Sequence, residues 1–343
     1  MSSAGRLVKV VLAIIVLLYI AFIYQTDYVL IKPGSAEELR PLITVEGADP
    51  DDTGKLYLVT VTQQRANVLT ALYGLLHPHI DLRLLGEVIP EGMTQEEYRE
   101  ILDLMMEESK LLAKLIALRR AGYQVEIISE GTIVEGFLDG SPSLGVLQKG
   151  DIITAVDGVP VSMASEAITL VQNRRVGDAV RLTIKRGETT REVEITTREY
   201  PDSPGTPALG IYIRTVHGEP VLPLDIEMDT GKIGGPSAGL MFVLEILNQL
   251  TPGDITGGHL IAGTGTIDTN ERVGRIGGVF QKVIAAERAG AEFFIVPEGN
   301  YEEARKAARE IELVPVSTLQ DVLDFLEGLS TGSAARPGQG MAA

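Results

Sequence analysis

Hydrophobic residues recur at helical spacing along one long stretch in the first third of the chain. The stretch opens with Thr94-Gln-Glu-Glu97, a capping box, and continues to Arg120, shortly before Gly122. It predicts one long helix with a packing stripe made of Tyr98, Ile101, Leu102, Met105, Leu112 and Ile116. Residues 56–61 (LYLVTV) precede it as a predicted strand, so we expect residues 28–122 to form a mixed α/β segment.

An uncharged apolar run, residues 10–24, lies near the start of the chain. It is at the short end for a membrane span, which needs about 17–25 residues. Arg6 and Lys9 precede it, which places the N-terminus in the cytoplasm and the bulk of the chain outside. We therefore predict a single-pass cell-membrane anchor over residues 1–27, in contact with lipid through residues 7–24. A cleaved signal peptide is the alternative, but no small-x-small cleavage site follows the run.

Between residues 123 and 200 the helical period gives way to short β-forming runs separated by turns. Strands are predicted over residues 125–128, 132–134, 151–156 and 180–185, with one helix over residues 165–173. Asp157-Gly158 is a tight-turn signal that follows the third of these runs. The pattern predicts a small α+β domain.

After a linker rich in proline at residues 201–207, strands and helices alternate. Strands are predicted over residues 210–215, 221–227, 260–263, 293–296 and 313–316, and helices begin at Ser237, Gly278, Tyr301 and Leu319. The alternation predicts an α/β layered domain over residues 208–329. Residues 330–343 are predicted to be a disordered tail. The predicted fold class is thus multidomain α/β, with an N-terminal transmembrane helix, an α+β domain and an α/β domain.

The composition excludes several classes of function. With 47 acidic and 30 basic residues, the chain has a formal net charge of −17, which argues against a nucleic-acid partner. Cysteine is absent, so the chain has no disulfide framework, thiol nucleophile or cysteine-based zinc site. His77 and His79 could hold a metal as a pair, but no acidic helical ligand accompanies them. We therefore expect neither a metal nor a cofactor.

A serine flanked by glycines marks the start of one predicted helix. Gly234, Gly235 and Pro236 precede Ser237, and Gly239 follows it. Glycines let the backbone approach a ligand closely, and the positive end of a helix stabilises a developing oxyanion. Ser237 is therefore a candidate nucleophile. The alternative is an ordinary helix N-cap, although a cap does not require glycines on both sides.

Lys282 is the candidate base for this serine. Its neighbours one helical turn away are uncharged, whereas those of Lys306 are charged residues typical of a solvated helix face. Burial without a carboxylate partner lowers the pKa of a lysine, and a neutral amine can take the Ser237 proton and return it to a leaving amine. The alternative is a lysine that reaches water from the edge of a core.

Residues 145–161 (GVLQKGDIITAVDGVPV) resemble bacterial-type PDZ domains, and the resemblance extends over residues 123–200. It implies a groove between a strand and the predicted helix at residues 165–173, where a peptide adds as a strand. Gly131 and Thr132 would lie in the loop that receives the peptide carboxylate, and Ile168 would line the groove. The alternative is a domain that only spaces or gates its neighbour.

Four separated motifs resemble the proteolytic domain of Lon-type proteases: IGGPSAG at 233–239, TGTI at 264–267, RVGRIGGVFQK at 272–282 and FIVP at 294–297. The resemblance implies Ser237 as nucleophile, Lys282 as base and Thr264 as the hydroxyl that hydrogen-bonds the lysine. It also implies an oxyanion site at the backbone of Gly234 and Gly235. Many Lon proteases have an acidic residue at the position of Gly235.

The sequence contains no GxxxxGK[ST] phosphate loop, so no nucleotide is expected. The chain thus resembles the membrane-anchored, PDZ-containing Lon-like branch, which lacks the ATP-driven unfoldase. We predict an ATP-independent serine endopeptidase acting on unfolded or membrane-exposed protein substrates, with the PDZ domain selecting or gating them. The resemblance also implies a homo-oligomer in the form of a ring. The alternative is a catalytically inert, membrane-anchored PDZ scaffold that binds peptides.

Overall fold

A computed structural model describes residues 3–48, 53–89, 93–125, 129–200, 203–217 and 222–330 of the chain. Within these residues the helices are α1 (Ser3–Ile23), α2 (Val68–Leu76), α3 (Leu85–Val88), α4 (Gln95–Arg120), α5 (Ala164–Gln172), α6 (Gly239–Leu250), α7 (Val279–Arg288), α8 (Tyr301–Arg305) and α9 (Leu319–Ser330). Short 3₁₀ helices cover Pro236–Ala238 and Glu298–Asn300.

The strands of the described residues form two large sheets and several short pairs. They are β1 (Gln25–Glu38), β2 (Ile43–Val45), β3 (Lys55–Asn67), β4 (Asp81–Leu84), β5 (Ser129–Phe137), β6 (Ile152–Val156), β7 (Val159–Pro160), β8 (Ala179–Arg186), β9 (Thr189–Thr196), β10 (Arg198–Tyr200), β11 (Ser203–Ala208), β12 (Ile211–His217), β13 (Ile226–Met228), β14 (Leu260–Gly263), β15 (Thr266–Ile267), β16 (Val273–Gly274), β17 (Phe293–Pro297) and β18 (Glu312–Val316).

A six-stranded sheet with the order β18-β17-β14-β3-β1-β4 forms the body of the molecule. Strands β18, β17, β14 and β3 are parallel neighbours, whereas β1 pairs antiparallel with both β3 and β4. Successive side chains of a strand point to opposite faces. Leu58 accordingly packs in the core with α4, α6 and α9, and Val59 packs in the core with α7 and α8. Helices therefore cover both faces, and the predicted α/β layering is confirmed.

A second sheet, with the order β12-β5-β6-β8-β9 and β7 paired to β6, forms a smaller unit. Helix α5 covers one face of this sheet, where Ala167 and Val171 pack against strand side chains such as Val134 and Ile153. Strand β12 lies at one edge of this sheet, beside β5. The predicted α+β domain is thus confirmed, with its helix shifted by one residue.

The predicted domain boundaries need correction at both ends of this smaller unit. Residues 28–122 are not a separate segment, because β1 and β3 belong to the same sheet as β14, β17 and β18. The strand predicted over residues 210–215 as the first of the last domain corresponds to β12 of the smaller sheet, which begins at Ile211. The predicted linker at residues 201–207 overlaps β11, which pairs with β10. Residues 126–128 and 331–343, which fall in a predicted strand and the predicted tail, lie outside the described residues.

The predicted N-terminal transmembrane helix is wrong. Helix α1 is present, but among the described residues no helix is both long enough and apolar enough to cross a membrane. A span needs about 17–25 apolar residues, and the uncharged run at residues 10–24 is shorter than that. The predicted lipid contact and cell-membrane location rested on this span and stay predictions from the sequence.

The predicted long helix is confirmed as α4. Thr94 Oγ1 accepts the Glu97 N–H at 3.2 Å, and the Glu97 carboxylate accepts the Thr94 N–H at 2.7 Å, as the capping box predicts. Helix α4 contacts both α6 of the large sheet's core and β12 of the smaller sheet. It is therefore an element shared by the two units.

Candidate active site

Ser237 lies on a tight turn that leads into the buried helix α6. Gly235 has a φ of +87°, a left-handed conformation that favours glycine, and Pro236 opens the 3₁₀ helix without an N–H to satisfy. A side chain on Gly234 would lie 3.3 Å from the Asp103 carboxylate of α4, tighter than an ordinary contact. Local backbone requirements therefore explain both glycines.

Lys282 approaches Ser237 from helix α7. This helix begins after Gly278, which has a φ of +68° and lies so close to Val61 that a Cβ would meet its methyl group at 2.9 Å. The close approach brings α7 against β3 and directs Lys282 into the interior, where only 3% of it is exposed. Its Nζ lies 2.7 Å from Ser237 Oγ and 2.9 Å from Thr264 Oγ1.

Thr264 fixes the position of both partners. It directly follows β14, and its N–H donates to the Ile295 carbonyl of the adjacent strand β17. Its hydroxyl accepts from Lys282 Nζ and donates to the Ser237 carbonyl at 2.9 Å. The structure thus brings Ser237, Lys282 and Thr264 into one hydrogen-bonded cluster.

The electrostatic surroundings of Lys282 favour its neutral form. Burial lowers the pKa of Lys282 to about 7, and no charged group of the described residues opposes this shift. An amine with that pKa is neutral about half the time at pH 7, whereas a lysine in water is neutral only about once in 2,500 molecules. The amine is not at the water-exposed edge of a core, which was the alternative for this residue.

The predicted oxyanion site needs correction at Gly235. Its N–H donates to the Leu102 carbonyl of α4 at 2.8 Å, so it is already occupied. The Gly239 N–H donates to the Pro236 carbonyl. The Ser237 N–H lies next to the nucleophile and donates in none of the described hydrogen bonds, which makes it the candidate oxyanion donor.

A cleft of about 640 Å³ opens in front of Ser237 and Lys282. One wall is the part of β3 at residues 59–63. It pairs with β1 on one side, and on the other side it lies beyond the four positions, 55–58, where β14 pairs with β3. Residues of α4 form the opposite wall, including Leu102, Asp103 and Met106. An extended chain would therefore pass between the edge of a strand and a helix on its way past the serine.

The structure separates the three residues predicted to form the peptide groove of the smaller unit. Gly131 and Thr132 lie on β5, and Thr132 is fully buried between partners on β12 and β6. Neither residue lines the groove that Ile168 lines, so the structure does not bring the three together. Ile168 of α5 is 44% exposed and lines a groove of about 360 Å³ between α5 and β12. Strand β12 covers β5 and takes its place as the edge of the sheet.

Sequence reasoning missed two contacts that α4 makes with the turn at Gly235 and Pro236, which precedes Ser237 and is called the nucleophile turn below. The Leu102 carbonyl holds Gly235, and Ser109 Oγ donates to the Pro236 carbonyl at 3.3 Å. Leu102 belonged to the predicted packing stripe, but nothing in the sequence around Ser109 indicates a partner more than a hundred residues away. In the described part of the chain, no three His, Asp or Glu side chains converge as a metal site requires.

Family comparisons agree with this division of the chain. Residues 225–327 match the family model of the Lon protease (S16) C-terminal proteolytic domain, and residues 120–197 match that of the PDZ domain. The chain therefore contains a Lon-type proteolytic domain and a PDZ domain, and this homology supports a Lon-type protease.

Individual relatives show how far the similarity extends. The Lon protease of Chloroflexus aggregans is 25% identical over 248 residues, which are 71% of this chain and 30% of that protein. Lon protease 2 of Bacillus subtilis is 39% identical over 92 residues, 27% of this chain and 16% of that protein. The chain thus spans less than a third of the length of these relatives. The solved PDZ domain of the SdrC-like protein from Listeria monocytogenes shares 30% identity, covering 26% of this chain and 93% of that one with a TM-score of 0.24.

Proposed function

We propose that this chain is a serine endopeptidase in which Ser237 is the nucleophile and Lys282 the general base. The main support is the 2.7 Å approach of Lys282 Nζ to Ser237 Oγ, made by an amine that is buried without an acidic partner. A neutral amine at this distance accepts the serine proton through the same hydrogen bond.

The steps follow from this geometry. Lys282 takes the hydroxyl proton while Ser237 Oγ attacks the carbonyl carbon of the peptide, and the Ser237 N–H faces the resulting oxyanion. Collapse of the tetrahedral intermediate breaks the peptide C–N bond, and Lys282 returns its proton to the leaving amine. Lys282 then takes a proton from water, which attacks the acyl ester, and gives it back to Ser237 Oγ. Thr264 holds the amine in line throughout.

The shape of the cleft supports a proposal for the class of substrate. Because the wall at residues 59–63 is the edge of a strand, an extended peptide can pair with it as it passes Ser237. Only a chain segment that is already unfolded reaches a cleft walled by a strand and a helix. We therefore expect unfolded proteins and peptides as substrates and hydrolysis without nucleotide, with the groove between α5 and β12 binding a further peptide segment.

Mutation of each proposed partner tests this assignment. Ser237→Ala and Lys282→Ala should abolish hydrolysis of casein and of an internally quenched peptide, without added ATP, and should abolish labelling by a fluorophosphonate. The matched controls Ser330→Ala and Lys306→Ala change exposed residues and should behave as the wild type. Equal turnover by the wild type and both site variants would leave a peptide-binding scaffold as the function.

A further inference from the structure

Helix α4 carries two neighbouring stripes of residues that face different parts of the molecule. Leu102, Met106 and Ser109 face the active-site side. The residues immediately before them in sequence, Ile101, Met105 and Glu108, line the groove of the PDZ domain together with Leu104. Residues at spacings of three and four share one helix face, so each stripe is continuous and the two lie side by side.

The stripe of α4 made of Leu102, Met106 and Ser109, the active-site stripe, is hydrogen-bonded directly to the nucleophile turn. Leu102 accepts the Gly235 N–H at 2.8 Å, and Ser109 donates to the Pro236 carbonyl at 3.3 Å. A Cβ on Gly239 would come within 2.7 Å of Ser109 Oγ, so the turn and the helix are in close contact. A displacement of α4 by an ångström would therefore displace the backbone that carries Ser237.

The other stripe of α4, the groove stripe, is hydrogen-bonded to the PDZ domain at Glu108, whereas its residues Leu104 and Met105 are exposed. Thr215 Oγ1 on β12 donates to Glu108 at 2.8 Å and accepts the Ala164 N–H at the start of α5 at 3.0 Å. Farther along the groove, Leu104 is 42% exposed and Met105 is 40% exposed, opposite Ile168 of α5. These apolar side chains are available to an occupant of the groove.

We propose that a peptide segment added along β12 raises the turnover at Ser237 by holding α4 in place, with Ser109 as the positioning residue that passes the effect to the nucleophile turn. This inference rests on the proposed function and concerns its regulation. The occupant is an extended apolar segment, because the groove is lined by apolar residues on two sides and β12 is the edge strand of its sheet.

The direction of the effect follows from burial. An occupant that covers Leu104 and Met105 removes their exposed apolar surface from water, and it does so only while α4 lines the groove as observed. The occupant therefore favours the arrangement in which Leu102 and Ser109 hold the turn. Because this arrangement orders the nucleophile rather than the substrate, kcat should rise while KM stays unchanged.

The absence of cysteine in the chain allows the groove to be filled by chemistry. Ile168→Cys alkylated with N-phenylmaleimide places an apolar ring opposite Leu104 and Met105. We expect kcat for an end-blocked quenched peptide to rise at least about fivefold over the unlabelled variant. Leu144→Cys, an exposed position of the same domain that does not line the groove, should show no change on labelling. An unchanged kcat for the labelled Ile168→Cys chain overturns the proposal.

A second substitution tests whether Ser109 transmits the effect from the PDZ groove to the nucleophile turn. Adding Ser109→Ala to the Ile168→Cys chain should lower kcat without changing KM and remove the response to the label, whereas adding Glu107→Ala, an exposed neighbour, should keep the response. A response that survives Ser109→Ala contradicts the role of that residue.

Hydrogen exchange separates this inference from the proposed function. In the Ser237→Ala background, which cannot hydrolyse peptides, labelling of Ile168→Cys should slow amide exchange across residues 233–240, including the Gly235 N–H held by Leu102. If the wild type proves inactive but exchange slows, the proposed function fails and the coupling stands. If exchange does not change, the coupling fails whatever the activity.

Discussion

Asp151 of the PDZ domain and Lys282 of the proteolytic domain are both almost fully buried, at 1% and 3% exposure, but their surroundings differ. Arg186 donates to both carboxylate oxygens of Asp151 at 2.7 Å, and the Gln148 N–H adds a third hydrogen bond. Lys282 has two hydroxyl partners and no carboxylate. The Asp151 carboxylate is thus paired with an opposite charge, whereas the Lys282 amine is not.

The pKa of each group reflects this difference. Burial alone would raise the pKa of Asp151, but the hydrogen bonds from Arg186 and Gln148 outweigh it and the pKa is lowered, so the carboxylate stays charged. Burial acts unopposed on Lys282 and lowers its pKa to about 7. Pairing offsets the desolvation cost of a buried charge and keeps it ionised, whereas an unpaired buried amine is destabilised in its charged form and is available for proton transfer.

The largest expected effect comes from exchanging lysine and arginine at the two positions. Lys282→Arg places a side chain that stays protonated beside Ser237, so peptide hydrolysis should fall by at least about 10³-fold. Arg186→Lys retains a positive charge beside Asp151 and should leave hydrolysis unchanged. Initial rates with a quenched peptide measure both, and substantial activity in Lys282→Arg would show that deprotonation is not required.

Removing the partner of the paired charge should be costly to stability. Arg186→Met leaves Asp151 buried without its ion pair, so the free energy of unfolding should fall. Urea unfolding measures the change, with Arg181→Met on the same strand as the control, because Arg181 is exposed. A loss no greater than that of the control would mean that water compensates Asp151.

Removing the unpaired amine of Lys282 should raise the free energy of unfolding, by an amount that depends on pH. The pKa of Lys282 rises from about 7 in the folded chain to its ordinary value of 10.5 on unfolding, so the protonation cost to folding is greatest below pH 7 and disappears near pH 10.5. Lys282→Met removes this cost. Its stabilising effect should be about 3 kcal/mol larger at pH 6.5 than at pH 9.5, from the two pKa values.

Paired urea titrations of the wild type and Lys282→Met at the two pH values measure this difference. Lys306→Met, an exposed lysine, should show none. If Lys282→Met raised the free energy of unfolding equally at both pH values, Lys282 would keep its ordinary pKa in the folded chain.

The smallest effect concerns the hydroxyl that orients the amine. Thr264→Val keeps the shape of the side chain but removes its hydrogen bonds to Lys282 and to the Ser237 carbonyl. The loss of one hydrogen bond to a chargeable group corresponds to about a 10- to 100-fold fall in kcat. Thr264→Ser should restore most of the rate, and equal rates for the Val and Ser variants would remove Thr264 from the proposed machinery.

The sequence predicted Ser237 and Lys282 because each lies in a short stretch with its own local requirement, whereas Thr264 was predicted only from the resemblance to Lon-type proteases. The glycines before Ser237 match a turn with a positive φ at Gly235, and the uncharged neighbours of Lys282 match its burial. Helix α4 was predicted for the same reason, since a capping box and an apolar period are local features.

Apart from the transmembrane helix, where no described helix is long and apolar enough to span a membrane, the errors concern contacts between distant parts of the chain. Strand β12 looked like the start of the last domain because its local pattern does not say that it pairs with β5. Gly131 and Thr132 were assigned to the groove from the resemblance to PDZ domains, which does not show that β12 forms the edge of this sheet. Tyr57 and Ala262 pair across more than two hundred residues, so the joining of β3 to β14 is equally invisible. The hydrogen bond from the Gly235 N–H to the Leu102 carbonyl also joins residues far apart in the sequence, so local patterns do not predict it.

The pH dependence of kcat/KM tests most directly whether a neutral Lys282 activates Ser237. Because the neutral amine is the active form, the rate should rise about tenfold per pH unit below pH 7 and become constant above it, with a midpoint near the lowered pKa of about 7. A quenched peptide without ionisable groups isolates the enzyme's own titration. A rate that keeps rising towards pH 10 would show an ordinary lysine and contradict the account.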